Sequence, residues 1–252
     1  MATHATNTSA YKLNHTMLRV KDPARSVAFY TEHFGLKLIN KMAFDESKFA
    51  LYFLAFDSAS AEHHGKHWTD REGLLELTHN YGTETDPNFK VANGNEEPAR
   101  GFGHVAFTVD SLGATCKGLL EKGVKFKKTP EQGSMRHIAF ALDPDGYWIE
   151  LIAQDKNKPE GAAAKTDMGS YRFNHTMLRV KDIEKSLQFY RSVMGMCQLR
   201  KHENPGGQFD LYFLGYRRGD ERDEEGKMNT REGLLELTYN CMACDLHEGG
   251  DR

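Results

Sequence analysis

Residues 14–20 carry Thr16, Met17, Leu18 and Val20 in a short run that suits a half-buried strand. Asp22 and Pro23 follow as a helix start. An Asp side chain accepts from the first free N–H groups, and a proline at the first helical position gives up no hydrogen bond. Val27, Tyr30 and Phe34 then recur on one helical face, and Gly35 closes the run. Residues 36–40, 49–56 and 73–78 read as three further strands. A second stretch repeats this order. GHVAFTV, with His104 at its head, is a strand, and a helix follows that ends near Gly123. Residues 136–142 and 147–153 are strands joined by the turn Asp143-Pro144-Asp145-Gly146. Segments 81–100 and 154–170, rich in Asn, Gly, Pro, Lys and Glu, read as connections.

Laid against itself, the chain repeats. Residues 11–80 align without a gap on 171–240, and about 29 of those positions are identical. The shared blocks are NHTMLRVKD, LYFL and REGLLELT. Residues 101–153 repeat the pattern more faintly. The predicted fold is therefore α+β, built from repeated βαβββ modules, three of four being present: 11–80 and 101–153 as a first domain (11–153), and 171–240 as the first half of a second. Residues 241–252 read as a divergent tail. Its Cys241, Cys244 and His247 have the look of a zinc or redox motif, but no partner pair follows, so an unrelated tail is the expectation.

Composition narrows the function classes. In 252 residues, 39% are hydrophobic and 27% charged, enough for a sizeable core, and the formal net charge is −3. Neither sign dominates, which argues against nucleic acid or a membrane surface as partner, although Lys125, Lys127 and Lys128 suit a small anion. No stretch has the apolar length of a membrane span, and the N-terminus lacks the marks of a secretory signal. Four scattered cysteines do not form a disulfide framework, so a reducing cytoplasmic setting is expected.

The chemistry lies in ionisable residues placed where strands should be apolar. Glu76 alternates with Leu74 and Thr78, Glu150 with Trp148 and Ile152, and Glu236 repeats Glu76. His15, His104 and His175 each open a strand. A carboxylate inside an apolar strand is costly unless paired or bound to metal. One such Glu most often meets solvent or a lysine, and one such His is most often structural. Every module, however, contributes one of each. Two modules together offer two His and two Glu, a nitrogen–oxygen set suited to Zn, Ni, Mn, Co or Fe.

The blocks NHTMLRVKD, LYFL, LLELTHN, NGN-x-EP-x-RGFGH and DPDGYWIE resemble glyoxalase I, of the vicinal-oxygen-chelate fold, over nearly all of residues 11–240. The likeness is to two-domain, single-chain fungal forms, with the second domain cut short. It implies a lactoylglutathione lyase acting on a glutathione hemithioacetal. In that family a site forms between the first half of one domain and the second half of the other. Carried over, the metal ligands are His104, Glu150, His175 and Glu236, with Glu150 the proton-transferring base and Glu236 the second carboxylate. Arg179, Asn240, Arg100, Lys128 and Met135 match glutathione contacts, and Ser134 stands where the family usually has a lysine. His15 and Glu76, with Arg19 and Asn80, form a second half-site without its complement. The resemblance implies about one zinc per chain, with nickel the alternative, and the uncovered half suggests self-association. An extradiol-type iron dioxygenase, a non-catalytic binding module and a truncated, weakly active or inactive chain stay open as alternatives.

Overall fold

The structure, a computed structural model, describes residues 8, 10–133, 135–155, 165–217 and 228–240. Ser134 and the tail with its cysteines lie outside the described residues.

The first module is β1 (His15–Val20), α1 (Pro23–Phe34), β2 (Lys37–Phe44), β3 (Phe49–Ala55) and β4 (Leu74–Asn80). The second is β5 (Phe102–Val109), α2 (Leu112–Glu121), β6 (Phe126–Lys128), β7 (Ile138–Leu142) and β8 (Trp148–Ala153). The third is β9 (Arg172–Val180), α3 (Ile183–Gln188), β10 (Cys197–Asn204), β11 (Phe209–Gly215) and β12 (Leu234–Asn240). The start of α1 follows the sequence reading. The Asp22 carboxylate accepts from the N–H groups of Ala24 and Arg25, Ser111 caps α2 and Asp182 caps α3. Gly35 takes the left-handed conformation, φ 75°, that ends α1. Tyr30 and Phe34 are fully buried and meet Phe107 edge-on, locking α1 onto the second module. β2 runs past the predicted Asn40 to Phe44, because its alternation continues against β3 as far as the Phe44–Phe49 pair.

Strand order shows what the repeats build. The first module forms a four-stranded sheet, β1-β4-β3-β2. The second and third share one eight-stranded sheet, β10-β11-β12-β9-β5-β8-β7-β6. Within each module the first and last strands pair in parallel, β1 with β4, β5 with β8 and β9 with β12. The join between modules is the antiparallel ladder of β5 and β9. Gly103 lies on that ladder, where an added Cβ would collide with the end of the Met177 side chain. Behind the sheets, Gly73 and Gly233 face each other's neighbours across the repeat: an added Cβ on either would crowd Glu232 or Glu72.

Candidate active site

β9 and β5 bring their histidines to the middle of the large sheet, and the parallel partners β12 and β8 bring the glutamates. His175 Nε2 lies 3.0 Å from Glu236 Oε2 and 3.2 Å from Glu150 Oε2. His104 Nε2 lies 3.2 Å from the same Glu150 oxygen and 3.4 Å from His175 Nε2. All four side chains are buried. Two donor atoms each about 2.1 Å from one metal stand about 3.0 Å apart at a right angle and about 3.4 Å apart at the tetrahedral angle. The spacings here fit that requirement, and the donors are those that a divalent transition metal takes.

The surroundings aim these donors. The Asn174 side-chain oxygen lies 2.8 Å from His175 Nδ1, and the Asn174 amide donates to the carbonyls of Met228 and Arg231. The ring is thereby turned with Nε2 toward the carboxylates. Thr238 donates its hydroxyl to Glu236 Oε1 at 3.0 Å. Asn174 and Thr238 lie in the repeated blocks NHTM and LLELT, whose repetition is the signal in the sequence that points to them. Their copies Asn14 and Thr78 make the same bonds to His15 and Glu76. Burial would raise the Glu150 carboxyl, but His104 and His175 beside it hold it well below the usual carboxylate range. Burial opposes charge on His175, yet hydrogen bonds and charges from Glu150 and Glu236 prevail and raise its pKa to about 9.

Glu150, His175 and Glu236 line a cleft of about 160 Å³, and His104 is not among its lining residues. Met135 and His137 line it from one wall, Phe209, Leu211 and Phe213 from β11, and Arg200, His202 and Asn204 from β10. Of the predicted anchors Met135 alone is among the residues lining the cleft, and the others have partners of their own. Arg179 donates to Asn95 Oδ1 and to the Phe102 carbonyl, 2.9 Å each, and burial with the neighbouring Arg100 pushes its pKa down. Gly94, beside Asn95, has φ +80°, and a Cβ there would meet the Phe102 carbonyl at 2.5 Å. Lys128 donates to the carbonyls of Met135 and Ile138, and Asn240 pairs with Phe209 at the end of β12. His15 Nε2 and Glu76 Oε2 form their own pair, 3.2 Å apart, with the His15 side chain 41% exposed. Among the described residues no third donor joins them. Arg19 donates to Asn80 beside that pair.

Comparison with known proteins bears on this geometry. The profile of the Glyoxalase/Bleomycin resistance protein/Dioxygenase superfamily matches residues 12–151 and 172–240. The lactoylglutathione lyase of Schizosaccharomyces pombe is 52% identical over 235 residues, 93% of this chain and 74% of that protein. Glyoxalase I of Saccharomyces cerevisiae is 49% identical over 239 residues, 94% of this chain and 71% of that one. The crystal structure of glyoxalase I from Zea mays superposes with a TM-score of 0.66 at 33% identity, covering 91% of this chain and 67% of that one. The α+β fold of repeated modules, the paired His/Glu strands and these relatives agree: the chain belongs to the glyoxalase I family of lactoylglutathione lyases.

Proposed function

We propose that this chain isomerises the hemithioacetal of methylglyoxal and glutathione to S-lactoylglutathione at the quartet His104, Glu150, His175 and Glu236. The observation that carries the reading is the convergence of these four buried donors, from two modules, with Glu150, His175 and Glu236 lining one open cleft. A metal held by the four would supply a Lewis acid for the oxygens on which charge develops. Zinc is the ion that the family likeness favours, with nickel the alternative, at about one per chain.

The remaining chemistry belongs to side chains. A carboxylate takes the proton from C1, the electron pair moves into the C1–C2 bond as the C2 carbonyl pair moves onto its oxygen, the hydroxyl proton passes from the C1 oxygen to the C2 oxygen, and the carbon proton returns at C2, so that an α-hydroxy thioester replaces the hemithioacetal and ketone. The family likeness assigns the role of base to Glu150. Glu236 is tethered by Thr238 two residues on, whereas the corresponding neighbour of Glu150 is Ile152, which has no hydroxyl. Glu150 thus lacks a hydroxyl tether, and its Oε2 is held instead by His104 and His175, 3.2 Å away each. Arg179 and Arg100, whose charges lie close enough to lower the Arg179 pKa, are the pair that the family likeness assigns to glutathione carboxylates, with Asn240, Lys128 and Met135 as further contacts.

Dialysis against a strong chelator should abolish formation of S-lactoylglutathione, followed by its ultraviolet absorbance, and zinc or nickel should restore it unequally. Full activity in a demonstrably metal-free sample would refute the reading. The cytosol, where glutathione is plentiful, is the compartment that this function implies, and cell fractionation checks it. No described helix is long and apolar enough to cross a membrane. Met17 and Leu38, 44% and 43% exposed on β1 and β2, make self-association through the first module the expected behaviour at high concentration, to be read by sedimentation.

A further inference from the structure

The two long repeats carry the same arginine at the same place, and its partners differ. Arg19 stands beside Thr78 in the ladder of β1 and β4, and Arg179 beside Thr238 in that of β9 and β12. Arg19 donates to Asn80 Oδ1 at 2.9 Å. Among the described residues Arg179 has no such bond to Asn240, the matching asparagine. Its Nη2 donates instead to Asn95 Oδ1 at 2.9 Å, and its Nη1 to the Phe102 carbonyl at 2.9 Å and the Gly94 carbonyl at 3.4 Å. Pairing of β5 with β9 brings the loop 93–101 to Arg179, whereas β1 ends its sheet and meets no such loop. Asn95 is itself fixed. Its N–H donates to Asn93 Oδ1 at 2.9 Å and its side-chain amide to the Gly103 carbonyl at 2.7 Å, while the Asn93 amide donates to the Gly146 carbonyl at 3.0 Å.

Every oxygen of this cradle is neutral. A guanidinium has five N–H groups, and these bonds take three of them. Neutral acceptors orient the group without cancelling its charge. Among the described residues no carboxylate forms an ion pair with Arg179. Burial and the neighbouring Arg100 act against its charge, and Glu236 favours it from a distance. We propose that Asn95 is a positioning residue for glutathione, holding the Arg179 guanidinium apart from Asn240 with its charge left for a glutathione carboxylate. The proposal rests on the lyase reading above and adds to it a residue from the module opposite the arginine.

The test uses metal-loaded enzyme and two readouts. One is kcat and KM for the methylglyoxal hemithioacetal of glutathione. The other is the Kd of S-methylglutathione, a thioether that cannot react, by calorimetry. Asn95→Ala and Asn95→Asp both lose the bond to the Gly103 carbonyl, but only Asp sets a counter-charge beside Arg179. Asn95→Asp should therefore raise KM and Kd about ten- to a hundredfold, the range for a charged hydrogen bond, and Asn95→Ala should raise them less. A loss of binding alone leaves kcat within about twofold in both. In an Arg179→Met background neither substitution should add to the loss, because the group through which Asn95 acts is gone. Losses that persist in that background would make Asn95 merely structural and overturn the proposal. So would a loss from Ala as large as that from Asp, or unchanged KM and Kd in Asn95→Asp. If Asn95→Asp does not fold, Asn95→Ala with and without Arg179→Met decides by the same coupling. Failure of the unmodified enzyme to bind S-methylglutathione also overturns the proposal. Binding without turnover of any hemithioacetal would instead overturn the lyase reading, and the Kd values would still judge Asn95.

Discussion

Glu150 accepts from two imidazoles at once, and its substitution separates binding from chemistry. Glu150→Gln should lower kcat/KM by about 10²–10⁴-fold, the range for loss of a general base, with the fold intact by circular dichroism. Near-normal turnover with metal content confirmed would remove Glu150 from the role. His175 gives a second test. Its pKa in the metal-free protein is raised to about 9, whereas a metal takes the neutral ring. Loading must therefore expel a proton below that pH, and apparent affinity should weaken about tenfold for each pH unit below 9. Calorimetry in two buffers of different ionisation heat reads the proton release, and identical heats would contradict it. The same raised pKa stabilises the metal-free fold below the ordinary imidazole value of about 6.5, a contribution lost as pH rises through about 9.

At the scale of elements, the turn between β7 and β8 holds another buried carboxyl. Asp143 Oδ1 accepts from the N–H groups of Asp145 and Tyr147, and Tyr30 donates its hydroxyl to Oδ2 at 3.0 Å. Burial outweighs these donors and raises the Asp143 pKa to about 7. A raised carboxyl favours the folded state most below its ordinary value near 3.9, and that contribution is lost as pH climbs through about 7. Asp143→Asn keeps the Oδ1 acceptor and removes the ionisation, so thermal stability between pH 5.5 and 8 should flatten in the variant. A parallel decline in both proteins would show that another group is responsible. The Asp-Pro-Asp-Gly sequence marks this turn plainly. Its tie to α1 through Tyr30 could not be read there, because residues 113 apart in the chain meet only in the folded core.

For the molecule as a whole, four donors gather where two modules share a sheet, and two donors stand apart in the module that does not. The expected metal content is about one per chain. His175→Ala should lose both metal and activity, while His15→Ala should change activity little. Metal analysis and the S-lactoylglutathione assay on the two variants decide this. Equal losses, or a content near two per chain, would mean that the first-module pair takes part.

Much of this protein is legible along the chain because its signals are local. Helix starts at Asp22 and Asp182 depend on a side chain reaching N–H groups two or three residues away. Strand faces depend on alternation, which set Glu76, Glu150 and Glu236 beside apolar neighbours before any contact was known. Identity between 11–80 and 171–240 revealed the repeat and, through it, the pairing of His with Glu inside each module. Which modules combine is another matter. NHTMLRV occurs in both β1 and β9, yet His175 lies buried in a quartet and His15 is exposed. The outer edge of β9 is paired with β5, whereas β1 ends its sheet. Strand edges are satisfied by partners distant in sequence, so only the tertiary structure decided which copy of an identical segment completes a site.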